Sequence, residues 1–422
     1  MSVKSTLKKL GGCAGGVVLF KAAKLSAEAA NLGRDKKKFK PETKRRMQKL
    51  FPYLNLDKVR FVINAELPAN WIESPDTTDA MTFGYTIYFK GKDIQWTYNG
   101  LSILIHELVH VDQVRRMGDS ENNFACKYGE GYITAGWDYY KIPLEKEAYG
   151  FVDRLIPSEG QTYQGTTFDP DYYATQYPDL MNAFNHDKYK LFTHWLDFGI
   201  DEGRQSSKVF DVNFYLNLHP DLLSTFGEKN YKAALDHWLH NGIKEGRIGS
   251  FAFDVKFYLD FYGDLQAAFG TNYEAIIRHW LEYGIKEGRI SSPAFDTQYY
   301  LNQNIDIKNS YGSNNYSAAV DHWLRQGLNE GRVSSAAFDV KFYLEHHDDL
   351  RTTFGDTNYL AALRHWLQFG INEGRWSAPG FNVKYYLESN PDLQAAFNSN
   401  YMLAIKHWLQ FGISEGRKGI PS

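Results

Sequence analysis

Residues 101–117 read LSILIHELVHVDQVRRM. On a helix, His106 and His110 stand one turn apart and project to the same side. Two imidazole nitrogens so spaced can reach one tetrahedral zinc ion at about 2.0–2.1 Å each. Glu107, beside the first histidine, is placed to accept a proton from water activated at such an ion. A catalytic zinc takes a third protein ligand and keeps one position open. The next histidine, His186, lies far along the chain, so the third ligand is sought among carboxylates. The segment Pro143-Leu144-Glu145-Lys146-Glu147-Ala148-Tyr149-Gly150-Phe151 reads as the start of a second helix, with proline near its N-terminus. Glu145 and Glu147 are two apart and cannot both face one ion. Glu145 shares a face with Ala148, Tyr149 and Val152, and small Ala148 lets two helices approach. Glu145 is therefore the first choice for the third ligand and Glu147 the second.

These side chains need elements to hold them. Leu101, Leu104, Leu108 and Val111 recur at helical spacing and form a stripe to bury, with Gly118 as C-cap. Upstream, Asp79 to Phe89 (DAMTFGYTIYF) is rich in β-branched and aromatic residues and reads as one β-strand. Thr82 to Tyr85 is the candidate edge that pairs with an extended peptide. Tyr132, Tyr139 and Tyr140 lie between the two metal segments and are candidates to stabilise an oxyanion.

The string HELVHVDQ, followed about 35 residues later by Glu-x-Glu-Ala-Tyr, resembles the gluzincin class of zinc metallopeptidases. In that class the third ligand is a glutamate, often within Glu-x-x-Ala. Glu145-Lys146-Glu147-Ala148 fits that pattern, so the resemblance implies Glu145 as ligand. Many relatives carry an aspartate after the alanine, where this chain has Tyr149. The stretch from Phe51 to Phe151, with FPYLNLDKVRFVI, AMTFGYTIYF and HELVHVDQ, also resembles the small peptidase domain found with bacterial contractile injection systems. The resemblance implies peptide-bond hydrolysis with Zn2+ as cofactor and a peptide or protein as substrate.

The second half is one unit written six times. Copies open at Phe168, Phe210, Phe253, Phe295, Phe338 and Phe381, and each carries a His-Trp pair and a closing Glu-Gly-Arg. Asp169 and Asp211 stand where an N-cap belongs. Phe168 with Tyr173, and Phe210 with Tyr215, have the spacing of a hydrophobic staple. Pro220-Asp221-Leu222 opens a second helix. A third runs through Tyr231 to Leu239 and is expected to end at Gly242 in a left-handed C-cap. Three short helices per copy follow, stacked on their neighbours as in solenoids. The repeated histidines are expected to hydrogen-bond inside their own copies, and the tryptophans and tyrosines to fill the core. The arginine of Glu-Gly-Arg is expected to pair with the capping aspartate of the next copy.

At 422 residues, 43% hydrophobic and 16% aromatic, the composition is globular rather than disordered. No apolar run reaches the roughly 18 residues that a membrane span needs. Two cysteines, Cys13 and Cys126, exclude a dense disulfide framework. Residues 1–50 hold 14 Lys/Arg against 3 Asp/Glu, a basic head on a chain whose net charge is −3. It reads as a solvated leader, without a specific nucleic-acid partner. Its apolar run, Gly11 to Phe20, is short and diluted by four glycines, so no signal peptide is assigned.

The expected organisation is a basic, partly disordered leader over 1–45, an α+β zincin-like metallopeptidase domain over 46–157 and a polar linker over 158–167. An all-α array of six 42–43-residue repeats over 168–422 completes it. The expected function is a zinc metalloendopeptidase whose array binds a protein or glycan target. The alternative is a non-catalytic, repeat-based binding protein with a relic or autoprocessing zinc domain.

Overall fold

The computed structural model describes residues 2–68, 79–92, 97–156 and 165–421. The expected linker lies largely outside them. The chain divides into two units: Met1–Gln161 with His186–Ile200, and Thr162–Asn185 with Asp201–Ser422.

The first unit is α+β. Helices α1 (Val3–Leu10), α2 (Gly12–Ala30) and α3 (Pro41–Leu50) precede strands β1 (Arg60–Val62), β2 (Ala80–Phe83) and β3 (Thr86–Phe89). Helices α4 (Tyr98–Arg116), α5 (Glu121–Thr134) and α6 (Pro143–Leu155) follow. The sheet order is β1-β3-β2, with β1 parallel and β2 antiparallel to β3. The single strand expected over 79–89 is thus a hairpin. Gly84, at φ 61°, opens a two-residue turn that a side chain would strain, and Phe83 pairs with Thr86 across it.

The basic head is ordered as α1 and α2 rather than as a loose leader. α2 crosses α5 at backbone contact. A Cβ added at Gly16 would lie 2.2 Å from the Ala125 carbonyl oxygen, and one at Gly129 2.2 Å from that of Gly12. Two of the four glycines that dilute the apolar run, Gly12 and Gly16, therefore serve this crossing, and the Cys13–Cys126 disulfide fastens it. Phe20 on α2 packs edge-on against Phe83 of β2 and Phe124 of α5. Val3, Leu7, Ala23 and Ala27 complete that face of the core. Two of the basic residues, Arg45 and Arg46, pair with Asp197; Arg46 does so in a fork at 2.6 and 3.0 Å.

Each repeat has three short helices, and all but the third helix of the first copy, Lys188–His194, belong to the second unit; an example is Val212–Leu218, Pro220–Phe226 and Tyr231–His237. Asp211 caps the first, accepting the Phe214 N–H at 2.9 Å. The staples form, with ring centroids 5.4 Å apart for Phe168–Tyr173 and 5.8 Å for Phe210–Tyr215. The third helix does not stop at Gly242. It widens into a π-turn over Trp238–Gly242, and the left-handed cap falls on Gly246 at φ 63°. Gly242 is helical, and its missing Cβ makes room for the Tyr215 hydroxyl, which would sit 2.2 Å from it.

Trp238, Trp280, Trp323, Trp366 and Trp408 stack on the opening phenylalanine of their own copy, as Phe295–Trp323 does with planes 9° apart. In the second to sixth copies the histidine of the His-Trp pair bonds through Nδ1 to a tyrosine hydroxyl of its own copy, for example Tyr300–His322 at 2.7 Å. The arginine expectation is corrected. Arg247 binds Asp221 and Glu245 within its own copy, because the Pro-Asp-Leu helix start lies nearer than the next capping aspartate.

Neighbouring copies are joined by a serine ladder. Ser250, Ser291, Ser334 and Ser377 each donate to a carbonyl of the preceding copy at 2.6–2.7 Å. Contacts also reach three copies on. Gln368 donates to Leu218 O at 2.6 Å, Lys406 pairs with Asp260 at 2.9 Å, and Lys208 pairs with Asp321. The array is therefore a tight coil rather than a row in which each copy meets only its neighbours.

Candidate metal centre

Thr97 caps α4, and Leu101, Leu104, Leu108 and Val111 are buried as their spacing requires. This fixes the helix so that the opposite turn presents His106 and His110. Pro143 starts α6, whose buried face carries Glu145, Ala148 and Val152. α4 and α6 pack together, and three side chains converge. The two Nε2 atoms lie 3.1 Å apart. His106 Nε2 is 3.2 Å from Glu145 Oε2, and His110 Nε2 is 3.3 Å from Glu145 Oε1. All three ligand atoms lie within 4.8 Å of one another, a cluster able to hold a metal ion.

Glu147 does not join it. Its carboxylate binds Arg116 at 2.6 Å and Gln113 at 3.1 Å. The alternate position on α6 thus points to the arginine, away from the imidazoles.

The electrostatics fit a cation. Glu145 is 2% exposed, and its buried Oε2 accepts no well-aligned hydrogen bond, with His106 Nε2 3.2 Å away. A lone carboxylate oxygen in that state is costly unless a positive charge compensates it. Burial opposes charge on both His110 and Glu145, but each stabilises the other. The carboxylate pushes His110 up to about 9, and the imidazoles hold Glu145 well below the usual carboxylate range. An ion seated there would take over the role of the imidazole proton.

A second layer holds the first. Gln113 Oε1 lies 2.9 Å from His110 Nδ1, and its amide donates to Leu144 O on α6, tying the two helices. The Tyr149 ring lies against His106 with centroids 4.4 Å apart. The Tyr128 hydroxyl donates to Glu145 Oε1 at 2.6 Å. Glu107 is 6% exposed, and Thr82 Oγ1 donates to its Oε2 at 2.5 Å. Thr82 thus reaches the site through Glu107.

The tyrosine candidates separate. Tyr132 packs in the core against Trp137, 5.5 Å away, and is 1% exposed. Tyr139 lies beside Glu145; burial first, then that carboxylate, pushes its phenol far up. Tyr140 is exposed and touches Tyr149. Sequence reading missed Gln113, although it stands three residues after His110 on one helical face. It also missed Tyr128, for which the sequence carries no local signal.

β2 is an edge strand of the three-stranded sheet, but Ala80, Met81, Thr82 and Phe83 are all buried.

Comparison with protein families adds one finding. Residues 38–118 match the eCIS core domain. This is a peptidase-type domain of contractile injection systems, as the HELVH segment suggested. The eCIS core match covers about a fifth of the chain, contains His106, Glu107 and His110, and ends before Glu145. No curated protein and no solved structure matches the chain. Among the described residues, no helix is long and apolar enough to cross a membrane.

Proposed function

We propose that the first unit is a zinc metalloendopeptidase, with His106, His110 and Glu145 as ligands and Glu107 as general base. The repeat array would bind a protein or glycan target. The observation that carries this reading is the convergence of two imidazoles on a buried glutamate.

Zinc held there would supply a Lewis acid that polarises the scissile carbonyl and acidifies water. The chain's own residues do the rest. Glu107 takes the proton of the attacking water and passes it to the leaving amine. Thr82 holds Oε2 of Glu107, which leaves Oε1 for that transfer. Gln113 fixes the tautomer and ring orientation of His110. Tyr139 and Tyr149 have phenols pushed up by burial, so they keep their protons at neutral pH and can donate to a developing oxyanion.

One observation favours the alternative, a zinc domain without turnover. The edge strand that would receive a peptide is covered along its length. Glu107→Gln separates the two readings, because it removes the base while leaving the three ligands. Under the peptidase reading the wild type cleaves a peptide library or its own chain, and the variant is about 10²–10⁴-fold slower at unchanged zinc content. A wild type that holds one zinc and cleaves nothing would establish the alternative.

A further inference from the structure

We propose that Tyr128 is a positioning residue for the metal centre, deciding which oxygen of Glu145 faces the ion. This rests on the zinc-site reading above. The two oxygens of a carboxylate are equivalent until a neighbour distinguishes them. Here a short hydrogen bond does so: Tyr128 donates to Oε1 at 2.6 Å, while Oε2 faces His106 Nε2 at 3.2 Å. A charge-assisted bond of this kind fixes the side-chain torsion as well as the acceptor. Tyr128 is 4% exposed, so water does not compete for the bond.

The backbone that carries this hydroxyl is itself held. Cys126, two residues earlier on α5, is bonded to Cys13 of α2. Gly16 and Gly129 bring the two helices into backbone contact on either side of that bond. Tyr128 and Glu145 both lie beyond residue 118, where the family match ends. The segment that completes the ligand set therefore also supplies the group that aims it.

The test uses the full chain and zinc alone, titrated against a chromogenic chelator. Wild type, Tyr128→Phe, Tyr132→Phe and the pair Glu145→Gln and Glu145→Gln/Tyr128→Phe are compared. Tyr132→Phe removes a hydroxyl from the same helix, but on a ring packed against Trp137. Loss of a bond to a ligating group typically weakens metal binding about 10–100-fold. Tyr128→Phe is expected to fall in that range, with an altered d–d spectrum when cobalt replaces zinc, and Tyr132→Phe to stay near wild type. In the Glu145→Gln background the tyrosine change is expected to add nothing, and that background also guards against misfolding from an unpaired buried carboxylate. If wild type binds one zinc and Tyr128→Phe binds it within twofold with an unchanged cobalt spectrum, the positioning role is overturned and the zinc site stands. If wild type binds no stoichiometric zinc, both fall.

Discussion

At the scale of single residues, the centre is decided by which carboxylate turns inward. Glu145 and Glu147 stand two positions apart on α6, and one faces two imidazoles and the other Arg116. Glu145→Gln is expected to weaken zinc binding at least 100-fold, and Glu147→Gln less than fivefold, as read by metal content after dialysis against a chelator. Much of this was legible. The four-residue spacing of the histidines, the adjacent Glu107 and the face shared by Glu145 and Ala148 are local features of one helix each. Tyr128 was not, because a hydroxyl that arrives from another helix leaves no spacing to read. The repeat arginines show the same limit: Asp221 and a capping aspartate are equally acidic on paper, and only the fold brings Asp221 to Arg247. Asp221 is exposed and Arg247 partly so, and Arg247→Met is expected to cost only about 0.5–1 kcal/mol in denaturant unfolding.

At the scale of elements, caps and crossings carry the stability. Burial pushes Asp211 up to about 6, against two backbone N–H bonds that favour the carboxylate. An acid whose folded value is raised contributes fully below its unfolded value of about 3.9, and that contribution is lost as pH rises through about 6. The array is therefore expected to lose stability between pH 4 and pH 7 from this cap, by about 1–3 kcal/mol. Asp211→Asn should remove that dependence and gain stability at pH 7.5, measured by urea unfolding at both pH values. The sixth copy already uses a neutral cap, Asn382, with the same backbone bonds. Gly242→Ala places a methyl against the Tyr215 hydroxyl and is expected to cost about 1–3 kcal/mol. The three helices per copy followed from caps and staples, but the π-turn did not, since its Trp-to-Gly segment reads like any helix end. The 79–89 hairpin was hidden for a related reason: its turn is only Gly84-Tyr85, set inside an otherwise strand-rich run.

At the scale of the whole molecule, each unit shows what repetition or spacing alone leaves open. Six copies and their register were plain from the sequence, whereas the coiling was not, because the twist per copy is written in no single copy. Contacts between copies three apart tie the array into more than a chain of nearest neighbours. It is expected to unfold in one cooperative step, with coincident midpoints for tryptophan fluorescence and far-UV circular dichroism. Gln368→Leu and Lys406→Ala, which cut two of those ties, should broaden the transition. The same contacts restrict how such an array can change length by loss or gain of a copy. Lys208 meets Asp321 only because two copies intervene between theirs. Excising residues 253–294 would bring Arg364 to that place instead, setting cation against cation where an ion pair had been. Loss of a copy between those two residues is thus penalised by charge, so the spacing of the first and fourth copies is held by phase as well as by packing.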